Sequence, residues 1–132
     1  MVTKFWRTAL ATALLALTTW ASAADFDGSK ALICATVEAH ACGVGEVCVR
    51  DLPDSFGVPQ FMRIDFANKT IAGPKRSTAI REIDKGADQL LLQGTELGYA
   101  WTIALDKTSG EMALTLVNRD DVFVVFGNCT PP

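Results

Sequence analysis

Apolar and polar positions alternate in short runs along most of the chain, and glycines, prolines and Asx residues cut the runs apart. In QFMRIDF, Met62, Ile64 and Phe66 fall on one side and Arg63 and Asp65 on the other, the two-residue period of a strand. Tyr99, Trp101, Ile103 and Leu105 share one face of YAWTIALD, with Ala100, Thr102 and Ala104 opposite. Met112, Leu114 and Leu116 repeat the pattern in EMALTLVN. DKTSGE, between those two runs, reads as a hairpin loop with Gly110 at the left-handed position. In residues 33–41, Ile33, Ala35, Val37, Ala39 and Ala41 alternate with Cys34, Thr36, Glu38 and His40. Ala and Glu there also suit a helix capped by Asp27, but the alternation favours a strand.

Shorter runs at TIAG, STAIREI and QLLLQG add further strands, and VRDLPDSFGVP, residues 49–59, reads as a loop on its two prolines and glycine. The last run, VFVVFGNC, is apolar at every position from Phe123 to Phe126, which predicts a strand covered on both faces. Seven or eight strands at this spacing predict an all-β fold, one small antiparallel domain built as an up-and-down meander or small barrel. A Greek-key sandwich is the alternative. Closure into a barrel would remove edges that invite aggregation.

The first residues predict the compartment. Lys4 and Arg7 precede an apolar run over 9–17, and Ala21-Ser22-Ala23 supplies a small-x-small cleavage site, so residues 1–23 are expected to be a signal peptide. The run is about half the ~20 residues needed to span a bilayer, so no stable membrane insertion is expected after cleavage. Periplasmic or secreted localisation follows. Removing the first 23 of 132 residues leaves an exported domain over 24–132 and, with Lys4 and Arg7 gone, takes the net charge from −3 to −5. That balance excludes a general nucleic-acid binder.

An oxidising compartment changes the reading of Cys34, Cys42, Cys48 and Cys129. An even count predicts two disulfides. The rival is a metal site on Cys34, His40, Cys42 and Cys48, but these lack the close cysteine pair of structural zinc sites, so no metal and no cofactor is expected. Three connectivities are possible. Cys42–Cys48 with Cys34–Cys129 is favoured, because GVGEV can fold back as a small loop and the other pair lies in the first and last strands.

The segments LICATVEA, PQFMRIDF, LLLQGTE, WTIALDKTSGEMALTL and FGNC resemble a set of small exported proteobacterial proteins that carry no assigned function. The resemblance spans nearly the whole mature chain and implies no activity, ligand or catalytic residue. The general plan is also similar to periplasmic inhibitor barrels that block lysozymes or proteases. The chain lacks the Ser-Gly signature loop of the lysozyme inhibitors, so this likeness is one of architecture.

The chemistry available is limited. One histidine, His40, leaves little for a hydrolytic triad, and no nucleophile elbow, zinc-protease helix or phosphate loop is present. Asp51 with Asp54, or Asp120 with Asp121, could serve acid–base chemistry, but adjacent acids in turns are usually solvated. The expectation is a non-enzymatic binding or inhibitor-like module, with loop 49–59 as one contact surface. Lys69, Lys75, Arg76 and Arg81, with only Glu82 among them as an acid, are the candidate partner-binding residues, suited to a periplasmic protein or an anionic surface. Tyr99, Trp101, Ile103 and Leu105 either line a cavity for a small apolar ligand or form core. A hydrolase using loop carboxylates is the third reading.

Overall fold

The structure is a computed structural model that describes residues 25–132; the expected signal peptide over 1–23 lies outside the described residues. Ten strands form one antiparallel sheet: β1 (Leu32–Gly43), β2 (Val49–Asp51), β3 (Phe61–Asp65), β4 (Thr70–Ala72), β5 (Ser77–Ala79), β6 (Glu82–Lys85), β7 (Gln89–Glu96), β8 (Tyr99–Asp106), β9 (Glu111–Val117) and β10 (Asp121–Thr130). The order across the sheet is β5-β4-β3-β1-β10-β9-β8-β7-β6, and β2 pairs with the second half of β1. The sheet curls into a half-barrel around a single core.

Ten strands exceed the seven or eight read from the pattern, for two local reasons. β2 arises inside the 49–59 stretch, where a three-residue ladder forms before the prolines begin. STAIREI, read as one strand, is split at Ile80–Arg81. There the Ile80 N–H donates to the Lys69 carbonyl (2.8 Å), while the Arg81 N–H donates to the Gln93 carbonyl (2.8 Å). The chain thus leaves β4 and joins β7 between successive residues, so the two edge strands of the sheet, β5 and β6, are consecutive pieces of one segment. This place is termed the seam.

Alternation fills the interior. Leu90 and Leu92 from β7, Trp101, Ile103 and Leu105 from β8, Met112 and Leu114 from β9, and Val125 from β10 are all buried, facing Leu32, Met62 and Ile64. Burying a side chain of this size is worth about 1.5–3 kcal/mol. Trp101 lies flat on Gly94, where a Cβ would collide with the indole and with the Ala79 carbonyl.

β1 does not keep one face throughout. Thr36 pairs with Gly127 but Glu38 with Phe126, so Val37 is an extra residue, a β-bulge. Before it Leu32, Cys34 and Thr36 point inward; after it Ala39 does, and Val37 is exposed. Buried Thr36 fastens the bulge to the loop before β3, taking the Gln60 carbonyl with its N–H (2.9 Å) and the Pro59 carbonyl with its hydroxyl (2.8 Å).

The expectation that β10 is covered on both faces is corrected. Val125 is wholly buried, but Phe126 is 44% exposed and Val122 36%. A one-layer sheet covers only its concave side, so the outer face of β10 meets solvent.

Cys34 is joined to Cys129 and Cys42 to Cys48, with no free cysteine. Cys34 and Cys129 stand opposite each other in the β1–β10 ladder and are buried. That bridge welds the first long strand to the last.

Candidate functional site

Antiparallel alternation assigns the turns to two ends of the half-barrel. One end gathers the 43–48 loop, the 3₁₀ turn Pro53–Phe56, the β4–β5 turn, the β7–β8 turn and the β9–β10 turn. We call it the loop end. Here the exposed apolar residues concentrate: Val44 and Val47, at 88% and 89% exposed, with Val49, Leu52, Leu97, Val117 and Val122.

These side chains are presented by rigid backbone. The Cys42–Cys48 bridge closes the loop carrying Val44 and Val47, and Gly45 takes the left-handed conformation (φ 75°) that the tight loop requires. The 49–59 stretch is anchored from below. Pro53 and Val58 are buried, and the Phe56 ring packs 5.7 Å from Phe123, which in turn lies 5.8 Å from Tyr99. The three rings cap the core at this end. The Val58 N–H donates to the Pro53 carbonyl (3.0 Å) and Gly57, at φ 77°, to Asp54 (3.0 Å). The pattern reading missed this anchoring, although Phe56 and Val58, apolar residues late in the stretch, were its visible signal.

Charge at the loop end is sorted by pairing. Arg50 binds Glu38 (2.7 Å), which also holds His40 (2.7 Å); Arg119 binds Asp120 (3.3 Å). The His40 hydrogen bond, and then Arg50, hold the Glu38 carboxyl below its ordinary range. Arg76 stands 3.9 Å from Glu96. Glu46, Asp51, Asp54 and Asp121 have no cationic partner among the described residues, so unpaired carboxylates outnumber the one unpaired cation, Lys75, at this end.

The four cations expected to act together are divided. Lys75 and Arg76 sit on the β4–β5 turn at the loop end, whereas Lys69 and Arg81 meet at the seam. With about 3.3 Å per strand residue, the three-residue β4 separates the two pairs by roughly 10 Å. At the seam Lys69 and Arg81 are joined by Lys85, the last residue of β6. The spacing Arg81-Ile83-Lys85 was the available signal.

Trp101, Ile103 and Leu105 are buried and belong to the core cluster; Tyr99 is half-buried in the aromatic cap. Trp101 Nε1 is buried without a hydrogen-bond partner. The acids Asp51, Asp54, Asp120 and Asp121 are all exposed. Among the described residues no group of three or more His, Cys, Asp or Glu side chains is placed to hold a metal, and no helix is long and apolar enough to cross a membrane. No family model, curated protein or solved structure matches the chain.

Proposed function

We propose that the protein is a non-enzymatic binding module of the periplasm or secreted medium, inhibitor-like in that a constrained loop enters a partner's cleft. The observation that carries this reading is the pair Val44 and Val47, about nine-tenths exposed on a disulfide-closed loop. Exposed apolar groups on a pre-ordered loop lose little entropy on binding and gain by leaving water. Unneutralised Glu46, Asp51, Asp54 and Asp121 select the partner: a folded protein whose apolar cleft is rimmed by lysine or arginine. Two disulfides suit an oxidising compartment, in line with the export signal read from residues 1–23.

Capture from a periplasmic extract of the source cell tests the proposal, with wild type compared against Val44→Asp/Val47→Asp. A cationic protein retained by wild type and lost from the variant supports it. Identical captured sets contradict it.

A further inference from the structure

The seam holds a second arrangement, independent of the loop end. A cleft of about 470 Å³ opens there, lined by Phe66, Ile83, Lys69, Arg81, Lys85 and Glu82, with Gly28 at its base. Its size is that of small-molecule sites, about 300–1,000 Å³.

β6 is an edge strand. Ile83 and Lys85 stand opposite Leu92 and Leu90, both wholly buried, so Lys85 is aimed at the concave side of the sheet. Its stem runs over Gly28. Arg81 enters the same cleft from the bend. Lys69 faces them from the β3–β4 turn, which Asp65 fixes by accepting from the Asn68 N–H (3.0 Å) and side-chain amide (2.9 Å). Lys69 itself adopts a left-handed conformation, φ 51°, unusual for a residue with a side chain and tied to the seam through its carbonyl. None of the three cations forms an ion pair among the described residues. Glu82 lines the cleft and Asp27 lies near enough to Lys85 to be influenced by it, so positive charge exceeds negative. The floor is apolar: Phe66 is buried and Ile83 packs on the core.

We propose that this cleft binds a small amphiphilic anion, with a carboxylate or phosphate head held by Lys69, Arg81 and Lys85 and an apolar body laid on Phe66 and Ile83. Three cations lining one cleft attract an anion through charge-assisted hydrogen bonds, and the apolar Phe66 and Ile83 beside them separate this ligand class from free inorganic ions.

The test titrates decanoate, below its micelle concentration, into the oxidised protein and follows backbone amides by NMR. Shifts centred on Phe66, Lys69 and residues 81–85 are expected, with affinity at least ten-fold weaker in Arg81→Gln/Lys85→Gln and unchanged in Lys75→Gln. Inorganic phosphate should bind at least ten-fold more weakly than decanoate. Sedimentation with phosphatidylglycerol vesicles then distinguishes the sources: association lost in the double variant assigns a lipid headgroup, and decanoate binding without vesicle association assigns a free amphiphile. Decanoate shifts that map to the loop end, equal affinity in the double variant, or no binding of either probe would overturn the proposal. Lys85 would then serve only to guard an edge strand.

Discussion

At the loop end apolar side chains face water while the arginines are matched to carboxylates; at the seam three exposed cations border a cleft over Phe66 and Ile83 and form no ion pair among the described residues. Each region breaks the ordinary sorting of residues, in opposite directions. The loop end carries a hydrophobic surplus outside, suited to a macromolecule that brings its own cleft. The seam carries a positive surplus around a cleft, suited to a small ligand that can enter. Both rest on one core, and their difference comes from chain geometry. A disulfide closes the loop that carries the first, and a change of strand partner at Ile80–Arg81 opens the second.

Because the core is shared, the largest effects should not distinguish the two regions. Cys34→Ala/Cys129→Ala removes a bridge between positions 95 apart and should cost about 4–5 kcal/mol, read by urea denaturation. Trp101→Ala should cost about 3–5 kcal/mol, as loss of a buried aromatic does. Gly94→Ala should cost about 1–3 kcal/mol, because a methyl cannot fit beneath the Trp101 ring. All three should weaken both binding activities only to the extent that they unfold the protein.

Smaller changes separate the regions. Cys42→Ala/Cys48→Ala releases a six-residue separation and should cost about 2 kcal/mol while abolishing partner capture and leaving decanoate affinity intact. If capture survived, loop constraint would have no part in recognition. Val44→Asp/Val47→Asp should shift stability by less than about 0.5 kcal/mol, as exposed positions do, and still remove capture.

Acid should act on stability at both. Glu38 is held low by His40 and Arg50 at the loop end, and Asp65 by the Asn68 amide groups beside the seam; Asp106, at the end of β8, is held low by the Ser109 and Thr108 N–H groups. Carboxyls lowered in the native state bind fewer protons than the unfolded chain. Their contribution is therefore complete above the ordinary values of 4.5 for Glu and 3.8 for Asp and is lost as pH falls through the lowered native values. Thermal midpoints should decline below about pH 4.5, and less steeply in Glu38→Gln.

The strands β8 and β9 were legible because each covers the core with one face only, and Tyr99 to Leu105 show that period without interruption; the solid apolar run of β10 marked a strand but hid its solvent-facing side. The favoured cysteine pairing is the one present, and it rested on the glycines of the short loop and on the other two cysteines lying in the first and last strands. Three features were hidden. The bulge at Val37 exchanges the faces of β1 by inserting a residue, which no alternation can announce in advance. Residues 49–59 looked like loop because prolines dominate them, although Pro53, Phe56 and Val58 anchor the stretch. The cationic group was drawn from proximity in sequence, whereas folding separates Lys75 and Arg76 from Lys69 and Arg81 and brings in Lys85.

The central claim is that recognition of a protein partner resides at the loop end. Amide-resolved NMR of the oxidised protein, titrated with the cationic partner that wild type captures, tests it most directly. Signal loss is predicted over residues 43–56, with Leu97 and Asp121 at its margin, and none at Lys69 or Arg81–Lys85. Signal loss centred on the seam, or on the outer face of β10 around Phe126, would contradict it.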